Sequence, residues 1–145
     1  MNIYTIGFTK SSAEHFFDRR IRAGVRRVID VRLNNTSQLS AFARSRDLEY
    51  FLQALASIEY VHEPLLAPTR DILDAFKKFR GNWDEYEGKF LDLMETRKID
   101  DKLDPGFFED ACLLCSEDKP HHCHRRLVAE FLVDRWQIPV SIVHL

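Results

Sequence analysis

The sequence predicts an α/β fold: a single domain with a mostly parallel sheet of about five strands and helices on both faces. Three observations lead there. Short apolar runs alternate along the chain with segments of helical periodicity. The run Val28, Ile29, Val31 is β-branched and apolar on both sides, as in a strand covered on both faces. The 145 residues contain no internal repeat and no linker, a length that suits one domain able to bury a real core.

The elements follow in order. Asn2 to Gly7 reads as a first strand ending at a glycine. Ser11 and Glu14 have capping-box spacing, so a helix is expected to start near Ser12. Its buried stripe would be Phe16, Phe17 and Ile21, and Gly24 would stop it. Val25 to Leu33 is the second strand, with Asp30 and Arg32 on one face near its carboxyl end. Asn34 to Arg46 is polar and long for a connection, and long connections in compact domains are often functional. Leu48, Phe51, Leu52 and Leu55 then give an amphipathic helix with Asp47 near its positive end. Ser57 to His62 is the third strand, and Pro64 and Pro68 break the chain after it.

Thr69 is placed to cap a helix with the stripe Ile72, Leu73, Phe76 and Phe79, ending at Gly81. Asn82 with Glu85 caps the next, with the stripe Tyr86, Phe90, Leu93 and Met94. Asp104-Pro105-Gly106 is a turn signal. Ala111 to Cys115 is the fourth strand. A helix from about His124 carries Val128, Phe131, Leu132 and Trp136 on one side, and Val140 to Leu145 is the last strand.

Composition excludes several classes. No run is long enough to cross a membrane, and MNIYTIGF reads as a strand rather than a signal peptide. Three cysteines without a secretory signal imply reduced thiols and a cytoplasmic protein. The net charge of −2 argues against a general nucleic-acid coat. Charge is nonetheless uneven: residues 1–50 hold nine Lys+Arg against five Asp+Glu. A solvated helix face in Arg19, Arg20, Arg22, Arg26 and Arg27 explains this excess, and a basic surface for an anionic partner competes with it.

Chemistry concentrates in Ala111 to Arg126, ACLLCSEDKPHHCHRR, which holds all three cysteines and three of the six histidines. Cys123-His124-Arg125 falls at a helix start, where free N–H groups and the helix dipole favour a thiolate or a bound anion. An inert core cysteine at an ordinary helix start is the competing account. Cys112-x2-Cys115 with His121, His122, Cys123 and His124 has the look of a zinc-ligand set. Residues three apart on a strand face opposite ways, so Cys112 and Cys115 would not share an ion. A looser set of Cys123 with nearby histidines stays open. Glu117 sits where the fourth strand ends and suits a general acid or base, or an ordinary loop carboxylate. Asp30 and Arg32 form a charged pair in an apolar strand, so they must be paired or functional. In parallel sheets ligands bind beyond the carboxyl ends of the strands, which collects Thr5, Gly7, Thr9, Arg32, Ser37, Glu117 and Arg125 at one edge.

Together these residues resemble the family known as domain of unknown function 488, along nearly the whole chain. That pattern opens with T-I-G-H-S, continues with D-V-R followed by a proline and a serine, and closes with L-C-x-E and C-H-R before a helix. Thr5-Ile6-Gly7, Asp30-Val31-Arg32, Ser37, Leu114-Cys115-Ser116-Glu117 and Cys123-His124-Arg125 match it. Phe8 and Thr9 stand where the family has His and Ser, Asn35 where it has proline, and Leu66-Ala67 replaces a glycine-containing turn. The resemblance implies that Arg32, Cys115, Glu117, Cys123 and Arg125 belong to one shared site. It carries no settled activity.

The functional expectation is a small enzyme or ligand-binding protein that holds an anionic, phosphate- or nucleotide-like ligand at the carboxyl edge of the sheet. Arg32 and Arg125 would bind the anion, with Asp30, Thr5, Gly7, Thr9 and Ser37 around it. Cys123, ahead of Cys115, would be the reactive thiol, and Glu117 or His124 the proton carrier. Two alternatives stand beside it: a metal-binding protein using Cys123 and neighbouring histidines, and a non-catalytic module touching nucleic acid or protein. The sequence names no cofactor, no oligomeric state and no substrate.

Overall fold

The structure is a computed structural model and describes residues 1–8, 11–34, 43–116 and 122–145. Among these residues five strands form one sheet: β1 (Asn2–Gly7), β2 (Arg27–Asp30), β3 (Glu59–His62), β4 (Ala111–Cys115) and β5 (Ser141–His144). Their order is β3-β2-β4-β1-β5 and every pairing is parallel. Among the described residues six α-helices accompany them: α1 (Ala13–Ala23), α2 (Ser45–Ala56), α3 (Arg70–Lys77), α4 (Trp83–Arg97), α5 (Ile99–Lys102) and α6 (His124–Trp136). The α/β class with helices on both faces is therefore correct.

The period-two alternation of the strands splits the core in two. Tyr4, Ile6, Val28, Cys112 and Leu114 pack against Phe16 and Phe17 of α1 and Leu48 and Leu52 of α2. Ile3, Ile29, Leu113 and Cys115 face the other way, against Tyr86, Phe90 and Met94 of α4 and Leu127, Val128 and Leu132 of α6. β4 is buried along its whole length, as a central parallel strand must be.

The order of the strands decides where a ligand has room. From β2 the chain leaves over one face through α2 to β3. From β4 it leaves over the opposite face through α6 to β5. β2 and β4 are neighbours, so their outgoing segments diverge and open a crevice beyond their carboxyl ends.

Local signals account for the ends of most elements. Ser12, not Ser11, is the N-cap of α1, and its hydroxyl accepts from the His15 N–H at 3.2 Å. Gly24 closes that helix at φ 77°, a conformation that a Cβ disfavours. Asn82 caps α4 by accepting from the N–H groups of Asp84 and Glu85. β1, β4 and the start of α6 fall where the sequence places them.

Other expectations need correction. β2 ends at Asp30 rather than Leu33, because the Asp30 carboxylate takes the Arg32 N–H at 3.1 Å. β3 begins at Glu59, since Ser57 is spent as the left-handed C-cap of α2 at φ 53°. In α1 the third inward position belongs to Arg20, which is fully buried, while Ile21 faces solvent. The Arg20 guanidinium carbon lies 3.2 Å from the Phe16 ring centre, one turn away, so cation–π attraction and a long apolar stem substitute for an aliphatic contact. Burial lowers its pKa to about 9. Arg20 therefore does not belong to a solvated basic face, and Arg27 lies in β2, paired with Glu59 at 2.8 Å. Leu55 and Phe79 are also exposed, at 59% and 71%. α3 stops at Lys77, before its stripe reaches Phe79.

Replacing Asn82 with Ala strands two N–H donors at the start of α4. It should lower stability by about 1 kcal/mol, read as a lower urea midpoint at unchanged slope.

Candidate functional site

The crevice beyond β2 and β4 is a cleft of about 160 Å³. Arg32, Leu33 and Asn34 line it from the end of β2, and Cys115 and Ser116 from the end of β4. His122, Cys123 and His124 close it at the start of α6, and Phe76, Lys77, Trp83 and Tyr86 form the opposite wall. Trp83 stacks on His122 at 4.8 Å and on Tyr86 at 5.1 Å, so this wall is a ladder of aromatic rings.

On the cleft floor, three side chains from two elements converge. Cys115, Cys123 and His124 are all buried, and their donor atoms lie within 4.8 Å of one another. The Cys115 sulfur is 3.6 Å from His124 Nδ1. His124 Nε2 is 2.6 Å from the Val31 carbonyl oxygen, which can only accept, so Nε2 carries a proton. That bond fixes the ring and aims Nδ1 at the sulfur.

The electrostatics separate the two thiols. A hydrogen bond from Cys123 holds the Cys115 thiol well below its usual pKa, outweighing burial, and the charges of His124 and Arg125 add to it. Burial pushes Cys123 up, and its contact with the Cys115 sulfur pushes it further. Burial alone would lower the His124 pKa, but the facing Cys115 charge, its hydrogen bond and the Val31 carbonyl raise it. These directions favour the Cys115 thiolate and the His124 imidazolium over the neutral pair, with the Cys123 S–H donating to the same sulfur. Cys112 is the contrast. It packs in the core on the other face, where burial pushes it up to about 12.

Arg32 stands beside this group, 2% exposed. Its Nε and Nη2 donate to the two oxygens of Asp30 at 2.8 and 2.7 Å, a bidentate pair. Tyr60 donates its hydroxyl to the same carboxylate at 2.6 Å. Burial works against the Arg32 charge, and Asp30 more than offsets it, so the guanidinium stays firmly protonated. Its third nitrogen, Nη1, is buried without a partner among the described residues. A guanidinium that is braced on one side and unsatisfied on the other suits a bound anion.

Of the residues singled out in the sequence, Arg32, Cys115, Cys123 and His124 meet at the cleft, with Asp30 behind Arg32. Arg125 is fully buried and off the cleft wall, although its charge reaches Cys115. Gly7 pairs with Cys115 in the sheet register and does not line the cleft. Thr5 turns toward the β5 side, where its hydroxyl lies 2.6 Å from His144 Nδ1. Thr9, Ser37 and Glu117 lie outside the described residues. Sequence reasoning missed Tyr60 as the support of Asp30, Val31 as the anchor of His124, and Phe76, Trp83 and Tyr86 as a cleft wall. Phe76 and Tyr86 were visible only as helix stripe. No residue of α3 is fully buried; Ile72, Leu73 and Phe76 pack partly against the core that includes α4.

A parallel α/β protein with a thiol–imidazole group at the switch point of its sheet is the class this fold and site define. A family model, Domain of unknown function DUF488, matches residues 12–132. The chain belongs to that family. No curated protein and no solved structure matches it. Among the described residues no helix is long and apolar enough to cross a membrane.

Removing the charge of Asp30 tests the brace. Asp30→Asn leaves the Arg32 guanidinium buried without its counter-charge and should cost about 3–5 kcal/mol, read by urea unfolding.

Proposed function

We propose that the chain is a small thiol enzyme acting on a compact anionic substrate, with Cys115 as nucleophile. What supports this most directly is the 3.6 Å approach of Cys115 to a His124 ring whose other nitrogen is tied to Val31. Nucleophilic thiols need a base in reach and a third group orienting that base, and both are on the cleft floor. The sequence favoured Cys123; the geometry favours Cys115, because the Cys123 S–H serves the Cys115 sulfur.

Roles follow from position. Arg32 Nη1 takes a carboxylate or phosphate oxygen of the substrate. The Cys115 thiolate adds to the electrophilic centre held beside it. His124 Nδ1–H then gives its proton to the leaving group, and the aromatic wall of Phe76, Trp83 and Tyr86 keeps water out. Arg125 acts from within the fold by favouring the thiolate. A cleft of about 160 Å³ limits the enclosed part of the substrate to roughly one ring or a short chain. Three free thiols fit a reducing compartment, the cytoplasm.

Iodoacetamide labelling mapped by mass spectrometry tests this. Cys115 is the acid whose pKa is lowered, so its thiolate persists as pH falls. Its labelling rate should already be level near neutral pH, while Cys112 stays unlabelled in the folded protein. Millimolar phosphate should slow the Cys115 reaction. A Cys115 that titrates like a free thiol, or that phosphate does not protect, rules the reading out. Stoichiometric metal in protein purified without a histidine tag would replace it with a soft-cation site on the same three donors.

A further inference from the structure

The chemistry above uses Cys123 only as a hydrogen-bond donor to Cys115, yet it sets a second sulfur against the first. We propose that Cys115 and Cys123 are a peroxidatic and resolving pair that reduces hydrogen peroxide or a small hydroperoxide, forming a disulfide on the floor of the cleft. This rests on the Cys115 reading above and extends it to a second class of substrate.

Four observations carry the inference. The two sulfurs lie within 4.8 Å of one another, so a disulfide of about 2.05 Å needs an approach of only a few ångströms. Cys115 ends a rigid central strand, and Cys123 is the N-cap residue of α6 with extended backbone at φ −141°, ψ 138°. Both residues line the same cleft. That cleft admits a peroxide, which is little larger than water, but does not enclose a tripeptide thiol such as glutathione. An internal thiol is therefore the one best placed to complete the reaction. Cys112, the third cysteine, packs on the other face of the sheet and takes no part.

The Cys115 thiolate attacks one peroxide oxygen; an S–O bond forms, the O–O bond breaks, and the His124 Nδ1 proton goes to the departing oxygen. Hydrogen peroxide yields water, an alkyl hydroperoxide its alcohol, and Cys115 becomes a sulfenic acid. The Cys123 sulfur then attacks the Cys115 sulfur. An S–S bond forms, the S–O bond breaks, and the oxygen leaves as water with the Cys123 proton and the one it already held. The peroxide gains two electrons and the thiol pair loses two. An external dithiol returns the pair to the reduced state by exchange.

The test treats the reduced, desalted full chain with stoichiometric hydrogen peroxide and maps its cysteines by mass spectrometry. The expected product is an intramolecular Cys115–Cys123 disulfide, two hydrogens lighter, with Cys112 still a thiol and dithiothreitol restoring both thiols. Cys115 should be oxidised roughly tenfold or more faster than Cys112. In Cys123→Ser, whose hydroxyl can still donate to the Cys115 sulfur, the sulfenic acid should persist on Cys115 and be trapped by dimedone; if that variant does not fold, the wild-type disulfide map decides alone. Sulfinic acid on wild-type Cys115 without a disulfide, a disulfide between molecules, or no oxidation at all would overturn the proposal. Low-pH labelling of Cys115 by iodoacetamide, measured on the same preparation, separates the two readings. If labelling succeeds and the disulfide does not form, only the peroxide proposal falls; if labelling fails, the thiolate reading falls first.

Discussion

The imidazole of His124 ties together the three parts of the chain that make the site. Its Nε2 donates to the Val31 carbonyl just past β2, its Nδ1 meets the Cys115 sulfur at the end of β4, and its backbone starts α6. A ring nitrogen can serve a thiolate only if the ring is held in one tautomer and orientation. The 2.6 Å bond to a carbonyl that can only accept supplies both. Without that bond the ring, which is nearly fully buried, would carry an unsatisfied polar nitrogen.

This arrangement depends in turn on the sheet. β2 and β4 are adjacent and parallel, with Asp30 level with Leu114, so Val31 and Cys115 emerge side by side. Their connections then leave over opposite faces. The crevice between them is therefore a consequence of topology, and α6 is brought to it because the chain must cross over to reach β5. The cleft is a feature of the parallel order, filled by whichever residues follow those two strands.

Charge at the site is balanced locally. Asp30, the last residue of β2, takes two nitrogens of the Arg32 side chain, the Arg32 backbone N–H and the hydroxyl of Tyr60 from β3, so the buried carboxylate is satisfied and the guanidinium keeps one nitrogen over. The same bonds end the strand. A charged pair that the sequence shows as an anomaly in an apolar run is thus the device that stops β2 and holds Arg32 toward the cleft. In the thiol group the balance is between neighbours: His124 and the Cys123 thiol both face the Cys115 sulfur, and both favour its charged form.

The sequence by itself determined the class of fold, the limits of β1 and β4, the first residue of α6 and the caps at Gly24 and Asn82, because these rest on local periodicity, turn conformation and hydrogen bonding within a few residues. It also singled out Asp30, Arg32, Cys115, Cys123 and His124 as chemically conspicuous, and the fold brings them together at one cleft. Their partners, by contrast, came only from tertiary packing. That Cys115 rather than Cys123 faces the imidazole, that Arg125 is sealed inside, that Thr5 turns to His144, and that Trp83 and Tyr86 wall the cleft all depend on contacts between segments far apart in sequence. The burial of Arg20 in place of Ile21 has the same origin. Residue type and spacing record what a side chain can do; its pKa and partners are set by which surfaces the packed helices and strands bring against it, and that is a property of the assembled sheet.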